Sequence, residues 1–132
     1  MACGPKPVAS SGGLASGAVA WVARAAFVVV FAIAAYGAWD PRHNHEASVP
    51  PADAVEHIGY GYILTLLTVA SLPKVSPWLI GGIFLAGGAG FELTQVAGLV
   101  AGTAQWGDLA ANLAGVAAAL APFALGRLRP GP

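Results

Sequence analysis

The chain alternates long apolar runs with short breaks rich in proline, glycine and polar residues. Four runs stand out, at 18–39, 53–72, 78–99 and 108–126. At 1.5 Å per residue the first makes about 33 Å of helix, enough to cross the roughly 30 Å hydrocarbon core of a bilayer. Prolines 41, 50 and 51 punctuate the first break (40–52), and Pro73 and Pro77 bracket the second, Pro73-Lys74-Val75-Ser76-Pro77. Residues 100–107 form the third break. The pattern predicts four membrane helices. A small-residue flexible tail (1–17) precedes them and a basic tail (127–132) follows, with Pro122 able to kink the fourth helix. A cleaved signal peptide is the rival reading of 18–39; the long tail ahead of the run favours a retained helix.

Composition agrees with this reading. Of the 132 residues, 57% are hydrophobic and only 9% charged, and the mean hydropathy is +0.70. A soluble domain carries charge on about a quarter of its residues. The fold class expected is therefore all-α, an integral membrane bundle of four transmembrane helices, with the lipid bilayer as its first partner. Zero formal net charge gives no case for nucleic acid. Cys3 is the only cysteine, which excludes an internal disulfide or thiolate metal cluster. His43, His45 and Glu46 share the 40–52 loop without a third ligand at a defined spacing, so no metal and no cofactor is expected.

The polar residues inside the runs carry the chemistry. The third run is interrupted by Phe91-Glu92-Leu93-Thr94-Gln95. A charged side chain at a helix centre costs about 2.5–3.5 kcal/mol on insertion scales, so something must offset Glu92. Counting from the run's ends, it lies about 21 Å from Trp78 and about 10 Å from Leu99. Gly82, Ala86 and Gly90 repeat every four positions, the small-residue spacing of closely packed membrane helices. Gly88, Glu92 and Gln95 lie on a different face. Two faces unsuited to lipid make this helix the expected centre of the bundle.

In the second run, Asp53 and Glu56 have capping-box spacing. His57, Gly61, Thr65 and Thr68 then fall on one small, polar helix face that should point inward. In the fourth run Asp108, Asn112, Gly115 and Ala119 share a face. Asp108 can cap the helix; Asn112, one turn deeper, needs another explanation.

The basic residues set an orientation. With a cytoplasmic amino terminus, the inner side holds Lys6, Lys74, Arg127 and Arg129, with Arg24 nearby, and the outer side holds Arg42. That is the positive-inside arrangement, with both termini cytoplasmic. The start of helix two, the end of helix three and the start of helix four then meet at the outer leaflet. His57, Glu92, Gln95, Asp108 and Asn112 should form one polar cluster there.

Three stretches, Asp53-x-x-x-His57, Glu92-x-x-Gln95 and Trp106-Gly107-Asp108-x-x-x-Asn112-x-x-Gly115, each at a helix edge, resemble the VanZ-like family of small membrane proteins over roughly 53–119. The chain departs from that pattern at Ala54, Gly61 and Gly102, where the family usually has lysine, tyrosine and arginine. The resemblance implies a multi-pass bundle in the bacterial inner membrane, with a role of the antibiotic-resistance kind against glycopeptides such as teicoplanin. No reaction comes with it. The positions it carries over are His57, Glu92, Gln95, Asp108 and Asn112.

Three functions fit these residues. The cluster can bind an amphiphile at the outer leaflet: a lipid head group, a lipid-linked wall precursor or a glycopeptide antibiotic. It can be a structural polar network in a scaffold, a homo-oligomer or a subunit of a membrane complex. It can also be an intramembrane acid/base enzyme using His57 with Glu92 or Asp108. The absence of a recognisable nucleophile or phosphate loop weighs against the third.

Overall fold

The computed structural model describes residues 12–39, 52–100 and 104–128, leaving aside the side chains of 12–16, 52, 53 and 128. These residues form four α-helices: α1 (Gly12–Trp39), α2 (Ala52–Ser71), α3 (Pro77–Val96) and α4 (Trp106–Leu128). Three segments are long and apolar enough to cross a membrane: Gly17–Trp39, Pro77–Val96 and Trp106–Arg127. By length and composition the chain is thus a membrane protein. The outward apolar side chains, among them Val22, Val29, Ile83, Leu93 and Leu125, are those a bilayer would cover.

The boundaries differ from the apolar runs for local reasons. α1 begins at Gly12, ahead of the apolar run and although Gly12 and Gly13 are weak helix formers. α3 stops at Val96 although the apolar run continues. Gly98 sits at φ +69°, its N–H donates to Gln95 O (3.0 Å), and the N–H of Leu99 donates to Thr94 O (2.9 Å). This pair of bonds is a Schellman ending, and it needs a left-handed residue that glycine supplies without strain. α4 begins two residues before Asp108, so Asp108 stands in the first turn instead of capping it. The helix runs on through Pro122. Ser76, ahead of Pro77 at the start of α3, makes no side-chain capping bond.

The centre of the bundle is α2, not α3. α2 packs against α1, α3 and, most extensively, α4; α1 touches only α2. The close approaches occur at glycines other than the Gly82/Ala86/Gly90 stripe. A Cβ on Gly61 would lie 3.0 Å from the backbone O of Asn112, and one on Gly115 would press on the backbone of Ile58 and Tyr62. On α3, a Cβ on Gly81 would lie 2.6 Å from Leu120 Cδ1. By contrast a Cβ on Gly82 or Gly90 would meet nothing within 4 Å. The stripe faces outward because α4 takes the opposite side of α3, the side carrying Gly81 and Gly88. Between the helices lie Leu64, Ile80, Ala111, Val116, Ala119 and Leu120, all buried.

Candidate functional site

The pairings fix which helix ends meet. Arg24, midway along α1, donates from Nη2 to the carbonyl of Ser71, the last residue of α2 (3.1 Å). His57 lies beside Asp108 and Gly61 against Asn112, so α2 and α4 run parallel. Gly81 faces Leu120 and Gly88 faces Asn112, so α3 and α4 are antiparallel. Hence the start of α2, the end of α3 and the start of α4 share one end of the bundle. The three helices bring His57, Glu92, Gln95, Asp108 and Asn112 to that end.

Within it, the contacts are specific. His57 Nε2 lies 3.8 Å from Asp108 Oδ2, with the His57 side chain 29% exposed and that of Asp108 13%. At this distance the pair is an electrostatic contact between α2 and α4, attractive when the imidazole is protonated, not a direct hydrogen bond. Glu92 Oε2 accepts from the backbone N–H of Gln105 at 2.9 Å. Gln105 in turn presents its carbonyl to the N–H groups of Asp108 (3.1 Å) and Leu109 (3.4 Å). It is thus the N-cap residue of α4, and its own N–H is held by a carboxylate from α3.

This arrangement offsets much of the cost of Glu92. The residue sits one turn short of the carboxyl end of α3, where the helix macrodipole is negative and a carboxylate is disfavoured. The neighbouring start of α4 is the positive end of an antiparallel helix. An ordinary capping box has the carboxylate at the third helical position reach back to the N-cap amide. Here Asp108 holds that position and faces His57, while Glu92 takes the amide from across the helix pair. Sequence reasoning missed Gln105, because its contribution is a backbone donor with no side-chain signature. The signal available was an acidic residue three places after it, at capping-box spacing.

Asn112 answers the question its depth raised. Its backbone lies against Gly61 of α2, and its Nδ2 lies 3.4 Å from where a Cβ of Gly88 on α3 would be. It is the point where α2, α3 and α4 come together. Thr65, one turn below Gly61, is 0% exposed, and its Oγ1 has no hydrogen-bond partner among the described residues; the same holds for the buried Oε1 of Gln95. Thr68 and Ser71 instead return their hydroxyls to Leu64 O (2.8 Å) and Leu67 O (2.6 Å), one turn back. The inward polar face expected on α2 is therefore present.

No family model, curated protein or solved structure matches this chain. The site has to be read from its own geometry. Among the described residues no three His, Cys, Asp or Glu side chains are grouped to hold a metal ion. His43, His45 and Glu46 lie outside the described residues, as do Cys3, Lys6, Arg42, Gly102, Arg129 and the side chain of Asp53. What remains is rich in acceptors. It offers the carboxylates of Glu92 and Asp108, with that of exposed Glu56 beside His57, one imidazole, and the amide oxygen of Gln95, which has no partner among the described residues; no lysine or arginine comes from the described parts of α2, α3 or α4 at this end.

Proposed function

We propose that the protein is a four-span membrane bundle of the VanZ-like kind, whose polar end binds the head group of an amphiphile at the outer leaflet. α2 is the fourth crossing. At about 30 Å it is long enough, and its lower apolarity suits a helix shielded from lipid by its neighbours. Both termini lie in the cytoplasm of a bacterial cell, with the bundle in the inner membrane. The occupant is a lipid head group, a lipid-linked wall precursor or a glycopeptide antibiotic, which would give a resistance-type role. The observation carrying this reading is the convergence of His57, Asp108, Glu92 and Asn112 on the first two turns of α4, with Gln95, one turn beyond Glu92 on α3, holding a buried Oε1 that has no partner among the described residues. An acceptor left unpaired in an apolar setting is destabilising unless a donor arrives, and hydroxyl- or amine-bearing head groups bring such donors.

The test is titration of the protein in nanodiscs with a lipid-linked wall precursor and, separately, with teicoplanin. Glu92→Gln and Asn112→Ala should weaken binding while the helix content stays that of the wild type. Unchanged affinity in both variants would remove the reading.

A second reading is favoured by the bond from Gln105 N–H to Glu92 Oε2: the cluster is structural and holds the α3–α4 register. Hydrogen bonds between membrane helices contribute on average about 0.6 kcal/mol each, so several together can fix a register. Loss of folding in Glu92→Ala, with ligand affinity of the folded fraction unchanged, would favour it over binding.

A further inference from the structure

The opposite end of the bundle has a different chemistry. Arg24 of α1, Lys74 of the α2–α3 turn and Arg127 of the last turn of α4 are all exposed and gather around that turn. The Arg24 guanidinium sits 5.0 Å from the centre of the Trp21 ring, and one of its N–H groups is taken by Ser71 O. Arg127 sits 5.4 Å from the centre of the Trp78 ring. Lys74 lies between Ser71 and Trp78 in the chain, the two residues that the arginines contact. No Asp or Glu occurs at 1–39, 57–91 or 109–132, and among the described residues no carboxylate pairs with any of the three cations.

We propose that this basic–aromatic rim binds the phosphate groups of anionic phospholipids in the leaflet it faces. Three features support that occupant. A guanidinium held over an indole is pre-positioned and keeps in-plane N–H donors for phosphate oxygens. Tryptophan rings are enriched at the head-group boundary, which puts the cations at phosphate depth. An uncompensated set of three positive charges is complementary to an anionic surface and to no acidic group in the described chain. The rim is distinct from the acceptor-rich end, so it stands whether or not that end binds an amphiphile.

Quenching by brominated lipids tests it. Trp39→Phe and Trp106→Phe leave emission from Trp21 and Trp78 alone, both at the rim. The protein is reconstituted in phosphatidylcholine vesicles containing a minor fraction of brominated phosphatidylglycerol, or the same fraction of brominated phosphatidylcholine. The expected result is stronger quenching by the anionic lipid at low salt, with the preference falling at high salt. Lys74→Gln should reduce the apparent preference by up to about fivefold, since a basic residue near an anionic surface contributes about 1 kcal/mol. The triple variant Arg24→Gln/Lys74→Gln/Arg127→Gln should abolish it, with quenching by brominated phosphatidylcholine unchanged as the check that both indoles still reach the lipid. Equal quenching by the two lipids in the protein with all three cations overturns the proposal. So does a preference that survives Lys74→Gln undiminished, a substitution at an exposed turn that leaves the helices intact.

Discussion

Replacing Glu92 probes the junction between α3 and α4. Its carboxylate accepts the N-cap amide of α4 from Gln105 at 2.9 Å. A hydrogen bond to a charged group contributes about 1.5–3 kcal/mol, and an N-cap side chain typically about 1 kcal/mol. This bond is exposed at the bundle's end, so water can replace part of it, and the lower ranges apply. Glu92→Gln keeps an acceptor and loses the charge that complements the α4 dipole; the expected cost is about 0.5–1 kcal/mol. Glu92→Ala loses both, for about 1–2 kcal/mol. Hydrogen exchange reads this directly. In detergent or nanodiscs the amides of Gln105 and the first turn of α4 should exchange about fivefold to thirtyfold faster in Glu92→Ala, given that 1.4 kcal/mol is tenfold. Amides in the middle of α1 should not change, since α1 touches neither α3 nor α4. If the Gln105 amide exchanges at the wild-type rate in Glu92→Ala, the cross-helix cap contributes nothing and the account of Glu92 is wrong.

Other substitutions separate the rest of the packing. Gly115→Ala should destabilise by about 1–3 kcal/mol in an unfolding titration, because its methyl would press on α2 backbone at Ile58 and Tyr62, which cannot swing aside. Gly82→Ala should be neutral or stabilise by up to about 1 kcal/mol in the same titration, since open space surrounds it and alanine is the better helix former. Gly98→Ala should cost about 1–2 kcal/mol, seen as a lower unfolding midpoint, because φ +69° is unfavourable for a residue with a Cβ. Thr65→Val should leave stability equal or higher, since it removes a buried hydroxyl without a partner among the described residues at nearly constant shape; a loss above about 1 kcal/mol would mean the hydroxyl is paired.

Much of the helix plan was legible in the apolar runs, because about 20 apolar residues between prolines leave few alternatives in a bilayer. The inward faces of α2 and α4 were legible too. Gly61, Thr65, Asp108, Gly115 and Ala119 are all buried, as their helical spacing requires. The end of α3 was obscured because Ala97-Gly98-Leu99-Val100 reads as apolar, while hydrogen bonding at Gly98 stops the helix. The Gly82/Ala86/Gly90 stripe misled for a related reason. Small residues permit close approach but do not require it, and α3 packs through Gly81 and Gly88 instead. In the candidate site, residue type and depth single out His57, Glu92, Gln95, Asp108 and Asn112, and the helix pairings bring them to one end of the bundle. Pairing was not legible. Glu92 accepts from a backbone amide in the 100–107 break, and no side-chain pattern announces such a donor.

Asn112 offers the most direct test of binding at the polar end, because its side chain meets Gly88 and takes no part in the Glu92–Gln105 bond. The deciding measurement is the affinity of Asn112→Ala for a lipid-linked wall precursor in nanodiscs, taken beside exchange of the first-turn amides of α4. The account predicts an affinity lower by about fivefold, the loss of roughly one hydrogen bond of 1 kcal/mol, with amide protection unchanged. Wild-type affinity in that variant would contradict it.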